Sequence, residues 1–185
     1  MNAPAKSIKH QVPEKYRDVP LSTLIETRVA RYRELEADWD AFADSQLEGR
    51  RRGQRRFIGA GGSGKHDPKA VPAGGFTLSI LTIPPGQGGS AHTHEVEEAF
   101  FVLQGQLTVF MENDRGERAS TTLKKWETIS CPEGIPHGFV NEGTEDAYVQ
   151  VMIGTGRPGP VGYSDDGIYA EETTRLASRA QGKST

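Results

Sequence analysis

An all-β domain, a sandwich or barrel of short strands, is the fold class that this 185-residue sequence predicts. Two observations carry it. From Arg55 onward, stretches such as Phe76-Thr77-Leu78-Ser79-Ile80, Gln106-Leu107-Thr108-Val109-Phe110 and Ala147-Tyr148-Val149-Gln150-Val151 alternate apolar and polar residues, the period of a strand with one buried face. Between them stand turn formers. Pro84-Pro85-Gly86 ends one apolar run, Asn113-Asp114-Arg115-Gly116 reads as a hairpin turn, and Glu142-Gly143-Thr144-Glu145 as another. Many short strands separated by Gly and Pro leave a sandwich or barrel as the way to bury their faces.

Ahead of the strands the pattern differs. Residues 1–20 are rich in Pro, Lys and polar groups and are expected to form an N-terminal arm. From Leu21 the residues Ile25, Val29, Tyr32, Leu35, Trp39 and Phe42 follow at steps of three or four, which predicts one N-terminal helix within a helical extension over 21–54. Thr23 and Glu26 have capping-box spacing. The apolar stripe is expected to pack on the barrel, with a subunit interface as the second choice. Arg50, Arg51, Arg52, Arg55 and Arg56 read as a solvated helix end that complements the helix dipole, with Asp40, Asp44 and Glu48 near enough to compensate the charge. The barrel is expected over 55–170. The Thr155–Pro160 stretch should break regular structure, and 171–185 should form a tail, a frayed helix or disordered.

The segment Gly59-Ala60-Gly61-Gly62-Ser63-Gly64-Lys65-His66 satisfies a Gly-x-Gly-x-x-Gly pattern and nearly a P-loop. Both readings need a helix directly afterwards, with its N-terminus at the phosphates. Asp67-Pro68 and Val71-Pro72 follow instead, and His66 stands where the P-loop carries Ser or Thr. A flexible surface loop near the barrel mouth is the preferred reading, and His10 and His66 are taken as exposed.

His92-Thr93-His94 lies in an extended run, so both imidazoles point to the same face. If that run continues, Glu98 shares their parity while Glu95 and Glu97 face away. Downstream, Pro132-Glu133-Gly134 suits a type I turn with Gly at its fourth position, and Pro136 disfavours helix at Ile135, so His137 should begin the strand His137–Asn141. Three imidazoles and a carboxylate on strands form a plausible ligand set for a metal.

At these residues the sequence resembles the cupin superfamily, in particular its small single-domain members of bacterial type. The first cupin motif, glycine, five residues, His-x-His, three or four residues, Glu, six residues, glycine, is met by Gly86, His92, His94, Glu98 and Gly105. The second is met by Pro132, Gly134, His137 and Asn141, with Trp126 in place of its leading glycine. The resemblance implies a double-stranded β-helix, the jelly-roll barrel. It also implies a divalent transition metal (Fe, Mn, Ni or Zn) on His92, His94, Glu98 and His137, and pairing as a homodimer. Alternation nominates Phe100, Val102, Leu107, Val109 and Phe139 as the apolar pocket lining.

Such a site would keep open positions on a six-coordinate ion. The functional expectation is a metal-dependent cupin enzyme acting on a small organic substrate, a dioxygenase first, with Glu98 as the catalytic carboxylate. The alternatives are an isomerase or lyase, in which Glu98 exchanges between ligand and base, and a non-catalytic metabolite-binding cupin.

Composition bounds the rest. With 35% hydrophobic residues the chain suits one core. A net charge of -3 and a pI near 6.0 provide no general field for nucleic acid. The single cysteine, Cys131, cannot form an internal disulfide and reads as a small buried thiol. Met1–Lys6 has no apolar stretch of signal-peptide length and no run is long enough to span a bilayer, so a cytoplasmic location without membrane contact is expected.

Overall fold

Alternation becomes burial in several of the ten strands of the structure, a computed structural model that describes residues 12–180. They are β1 (Gly53–Ile58), β2 (Thr77–Ile83), β3 (Gly88–Thr93), β4 (Glu98–Gln104), β5 (Gln106–Glu112), β6 (Arg118–Lys124), β7 (Thr128–Cys131), β8 (His137–Val140), β9 (Ala147–Ile153) and β10 (Gly162–Tyr163). Two five-stranded antiparallel sheets result, ordered β1-β2-β9-β4-β7 and β10-β3-β8-β5-β6. Leu81, Phe100, Val102 and Val149 from the first meet Leu107, Val109 and Phe139 from the second in one core. Each such side chain contributes about 1.5–3 kcal/mol by leaving water. This is the all-β jelly-roll layering that the sequence predicts.

The turns show where local chemistry decides. In the β5–β6 hairpin, Asn113 Oδ1 accepts from the amides of Arg115 and Glu117 at 3.0 and 3.1 Å, and Gly116 takes φ 77°. The Pro132 turn differs from expectation. Ile135 N donates to Pro132 O at 3.3 Å and Gly134 has φ 72°, so Gly134 occupies the third position of a type II pattern, where a positive φ is required. Its amide donates to His94 O at 2.9 Å and so ties this turn to the His-x-His segment.

Trp126 has φ 73°, the only non-glycine with positive φ among the described residues. The motif glycine that it replaces would adopt this conformation freely, whereas a side chain there costs about 1–2 kcal/mol. The indole offsets part of this by lying 6.0 Å from the Phe101 ring, although it is 65% exposed. Trp126→Gly is therefore expected to raise stability by about 1 kcal/mol. An unchanged or lowered urea midpoint would show that the packing on Phe101 outweighs the backbone strain.

The N-terminal helix is the main correction. Instead of a helix running to Phe42, α1 spans only Leu21–Glu26, and a 3-10 turn follows at Tyr32–Glu34. The N-cap is Pro20 without a side-chain cap, so the Thr23–Glu26 box does not form. At the other end the Thr27 hydroxyl bonds back to Thr23 O at 2.8 Å. Beyond it the barrel outcompetes a marginal helix: Asp38 and Gln54 exchange both backbone hydrogen bonds at 2.9 Å, and Trp39 lies on Gly53. Leu35 and Phe42 are buried, but Leu21, Ile25 and Val29 are exposed, so the stripe does not pack as one face.

The arginine cluster is corrected with it. Arg52 and Arg56 are buried, paired with Asp44 and Asp38 at 2.9 Å each. At the other end, α2 (Asp166–Ala180) is a packed helix where a tail was expected. Asp165 Oδ1 accepts from Ile168 N at 3.0 Å at its start, and Arg175 donates to the carbonyls of Asp40 and Phe42 at 3.1 and 3.2 Å. The Thr155–Pro160 stretch is irregular, as expected. The expectations for residues 1–11, including most of the arm and His10, and for 181–185 lie outside the described residues.

Candidate metal centre

Both sheets contribute to one cluster of donors. His92 lies on β3, paired across the ladder with His137 at the start of β8, and His94 follows directly after β3. Glu98 opens β4 in the opposite sheet. The parity argument thus reached the right carboxylate for an incomplete reason: the extended run is interrupted after Thr93, and Glu98 meets the histidines from across the barrel. Glu95 and Glu97 point elsewhere, accepting from Gly159 N and from Ser130 Oγ respectively.

Glu98 Oε2 lies 2.9 Å from His137 Nε2, 3.4 Å from His92 Nε2 and 3.5 Å from His94 Nε2. Donors about 2.1 Å from a common ion and about 90° apart would stand ~3.0 Å from one another, so this spacing suits a shared cation. The donor atoms of His92, His94 and Glu98 all lie within 4.8 Å of one another. His137 joins through Glu98, and its ring centroid is 6.2 Å from that of His94, on the far side of the cluster. The other ring nitrogens are held as well. Nδ1 of His92 lies 2.8 Å from Ser90 O and Nδ1 of His137 lies 2.8 Å from Ile135 O, so each donates its Nδ1 proton and turns Nε2 toward the cluster.

The electrostatics follow from burial and proximity. All four residues are buried. Burial works against charge on Glu98, but His94, His137 and His92 outweigh it and hold its carboxyl below the ordinary carboxylate range. Burial pushes His94 down to about 4, against the pull of Glu98. For His137 burial is opposed by the Glu98 hydrogen bond, and the net shift is upward.

The donors open onto a small cavity with a free volume of about 20 Å³, room for one or two water-sized groups. Phe100 and Phe139 are among the residues that line it. Val102, Leu107 and Val109 do not: they are buried deeper in the core. Two residues advance a strand by ~6.6 Å, so Val102 lies ~13 Å beyond Glu98 along β4. Sequence reasoning missed Phe42, Arg52, Gln54, Val161 and Tyr163, which also line it. They come from segments remote in sequence, and no local pattern marks them.

The glycine-rich loop also reaches this place. It is not followed by a helix, which agrees with rejecting a phosphate loop, and His66 is exposed. It is, however, anchored rather than free. Ser63 is buried and donates to Gln54 Oε1 at 2.7 Å, Arg56 donates to Ala60 O and Ser63 Oγ, and Gly62 lines the cavity. A Cβ on Gly61 would come within 2.4 Å of Gln54 and Ser79, so the close approach requires glycine.

A family model described as a cupin domain matches residues 79–154, the stretch that contains all four donors. Residues 79–154 belong to the cupin superfamily. Among curated proteins, this cupin is 33% identical over 88 residues to the rhicadhesin receptor of Pisum sativum, covering 47% of this chain and 41% of that protein. It is likewise 33% identical over 86 residues to germin-like protein subfamily 2 member 1 of Arabidopsis thaliana, covering 46% and 39%. The match thus spans about two fifths of the length of these relatives. Similar solved structures include the Lactobacillus farciminis oxalate decarboxylase formate complex, with 18% identity and a TM-score of 0.55 over 82% of this chain and 40% of that one. Another is Peruvianin-I, a cysteine peptidase from Thevetia peruviana latex, with 16% identity and a TM-score of 0.56 over 72% and 76%. These likenesses show the fold. Cys131 of this cupin is fully buried, with its thiol pushed up to about 12 by burial and by Glu98, and so resembles no activated nucleophile.

Proposed function

We propose that this cupin is a metal-dependent enzyme acting on a small organic substrate, a dioxygenase, with a divalent transition ion (Fe, Mn, Ni or Zn) on His92, His94, Glu98 and His137. The observation that carries the reading is the convergence of buried donors from both sheets on one side of an apolar-walled cavity. An ion held by three neutral imidazoles and one carboxylate supplies a Lewis acid and, if redox-active, a site for oxygen chemistry. The chain does the rest. Ser90 O and Ile135 O fix the tautomers, Phe100 and Phe139 exclude water, and Glu98, on the cavity wall, can exchange a proton with His137 behind it.

Metal analysis of protein purified without an affinity tag, followed by oxygen-uptake screening against enols, aromatic diols and keto acids, tests the reading. Turnover without oxygen consumption would make the chain an isomerase or lyase. Saturable binding without turnover would make it a metabolite-binding cupin, and absence of a stoichiometric metal would remove the proposal.

The pH dependence has a defined sign. His137 must lose any proton on Nε2 before that atom can bind an ion. Its pKa is raised, so proton competition should begin above the ordinary histidine value of about 6.5 and weaken metal affinity by up to ~10-fold per unit as pH falls further. His94, held to about 4, should add no competition near neutrality. In the metal-free protein the linkage runs the other way: the raised His137 contributes stability below about 6.5 that is lost as pH rises through its folded value. Metal titrations between pH 5 and 8 would contradict this assignment if affinity were flat, on the order of a two-fold change or less.

A further inference from the structure

Strands β3 and β8 leave register where the donors begin. Gly88 and Gly89 face Val140 and Phe139, but the next pair is His92 with His137, so three steps along β3 meet two along β8. The extra residue makes a β-bulge at Ser90 and Ala91. Directly opposed residues share a face of a sheet, and Phe139 and His137 are both buried inside the barrel. In a regular ladder Ala91 would oppose His137, and His92 and His94 would turn outward. The bulge therefore delivers the His-x-His pair to the interior.

Ser90 is held there at three points that β8 does not supply. Its amide donates to Asp44 Oδ2 at 2.9 Å, its hydroxyl accepts from Arg50 Nε at 2.9 Å, and its carbonyl accepts from His92 Nδ1 at 2.8 Å. Asp44 is itself a fixed point, buried and paired with Arg52 at 2.9 Å. Both Asp44 and Arg50 precede residues 79–154, the segment that the cupin model matches. The carbonyl that orients His92 is thus placed by side chains from outside that segment.

We propose that Asp44 and Arg50 are positioning residues of the metal centre. By holding Ser90 they keep the bulge in place and aim His92 Nε2 at the other donors. The proposal rests on the metal-centre reading and adds to it a control exerted from the N-terminal segment.

Loss of stability alone would not distinguish this role from that of a buried ion pair. Asp44→Ala combined with Arg52→Met removes both charges of the pair and also the acceptor of Ser90 N. Cobalt(II) is the probe, because its d–d absorption reports coordination geometry as well as binding. In the full chain this double variant should bind cobalt(II) ~10–100-fold more weakly than the wild type, with a d–d spectrum shifted toward that of His92→Ala. Val149→Ala, a core truncation on β9 in the opposite sheet, should lose stability and keep both affinity and spectrum. Unchanged affinity and spectrum in the double variant, or an equal change in Val149→Ala, would overturn the proposal. Absence of stoichiometric cobalt(II) in the wild type would instead sink the metal-centre reading. The hold on Ser90 is judged separately, without metal, by the tautomer of the neutral His92 ring in long-range proton–nitrogen NMR. The wild type and Val149→Ala should carry the proton on Nδ1 alone, whereas the double variant and Arg50→Met should show both tautomers. Arg50 is half-buried, so Arg50→Met keeps the test open if the double variant does not fold. A single Nδ1–H tautomer in Arg50→Met removes Arg50 from the proposal, and the same result in the double variant removes Asp44.

Discussion

His94→Ala is expected to lower the affinity for a divalent metal by at least ~100-fold while the barrel stays folded. Losing an outer-shell partner already costs about 10–100-fold at metal sites, and removing a donor should cost more. Burial holds His94 at about 4, so no proton competes with a metal at this donor near neutrality. The fold should persist because the core of Ile83, Val102, Leu107 and Val149 lies deeper in the barrel and does not depend on an ion. Competition against a chromophoric chelator, with circular dichroism on the same sample, measures both halves. Undiminished metal affinity would remove His94 from the site. Unfolding of the wild type by the chelator would show the ion to be structural, which would count against turnover.

Asp44→Ala should be the most damaging single change to stability, by about 3–5 kcal/mol, the cost of leaving a buried charge without its partner. Asp44 is 0% exposed and holds three elements together. It pairs with Arg52 beside β1, accepts from Ser90 N in β3 at 2.9 Å and accepts from the Tyr163 hydroxyl in β10 at 3.4 Å. Burial raises its carboxyl pKa, but Arg52 and the Ser90 hydrogen bond outweigh burial and hold it below the usual range. A depressed carboxyl contributes stability that is present above its unfolded value of about 3.9 and is lost as pH falls through the folded one. In urea the midpoint should fall sharply, and the melting temperature by roughly 10 °C. Asp44→Ala combined with Arg52→Met should recover part of the loss, because no unpaired charge then remains inside. If Asp44→Ala alone left the midpoint unchanged, the pair would contribute nothing net.

These two residues mark how far the sequence could be read. His94 was legible because the two-residue period of a strand is a property of the backbone itself, so His92 and His94 share a face wherever the strand ends up. The same period exposed the cores of β2, β5 and β9, and turn chemistry placed the hairpin at Asn113–Gly116 and the entry to His137. Glu98 was legible only in part: its parity was right, but its position came from a chain reversal that carries it to the other sheet.

Asp44 and Arg52 were not legible as a pair, because nothing in a run of arginines tells which one will be desolvated. That depends on β1 lying beside the segment from Asp38 to Ser45, and on Phe42 and Phe139 closing over the guanidinium. The periodic stretch from Leu21 to Phe42 failed as a helix for the same reason. A short helix is marginal in water, and backbone pairing with Gln54 together with buried ion pairs to Arg52 and Arg56 outweighs it. The helix over Asp166–Ala180 was expected only from Glu171 and only as a frayed end, because Arg175 and Arg179 gain their partners only once Asp40, Phe42 and Ser63 are in place. By itself the sequence determined the strand periods, the turns and the donor residues, which follow from interactions within a few residues along the chain. Only the tertiary structure decided which charges are buried, which wall faces the donors and which helix survives, because those energies arise between segments that meet only after folding.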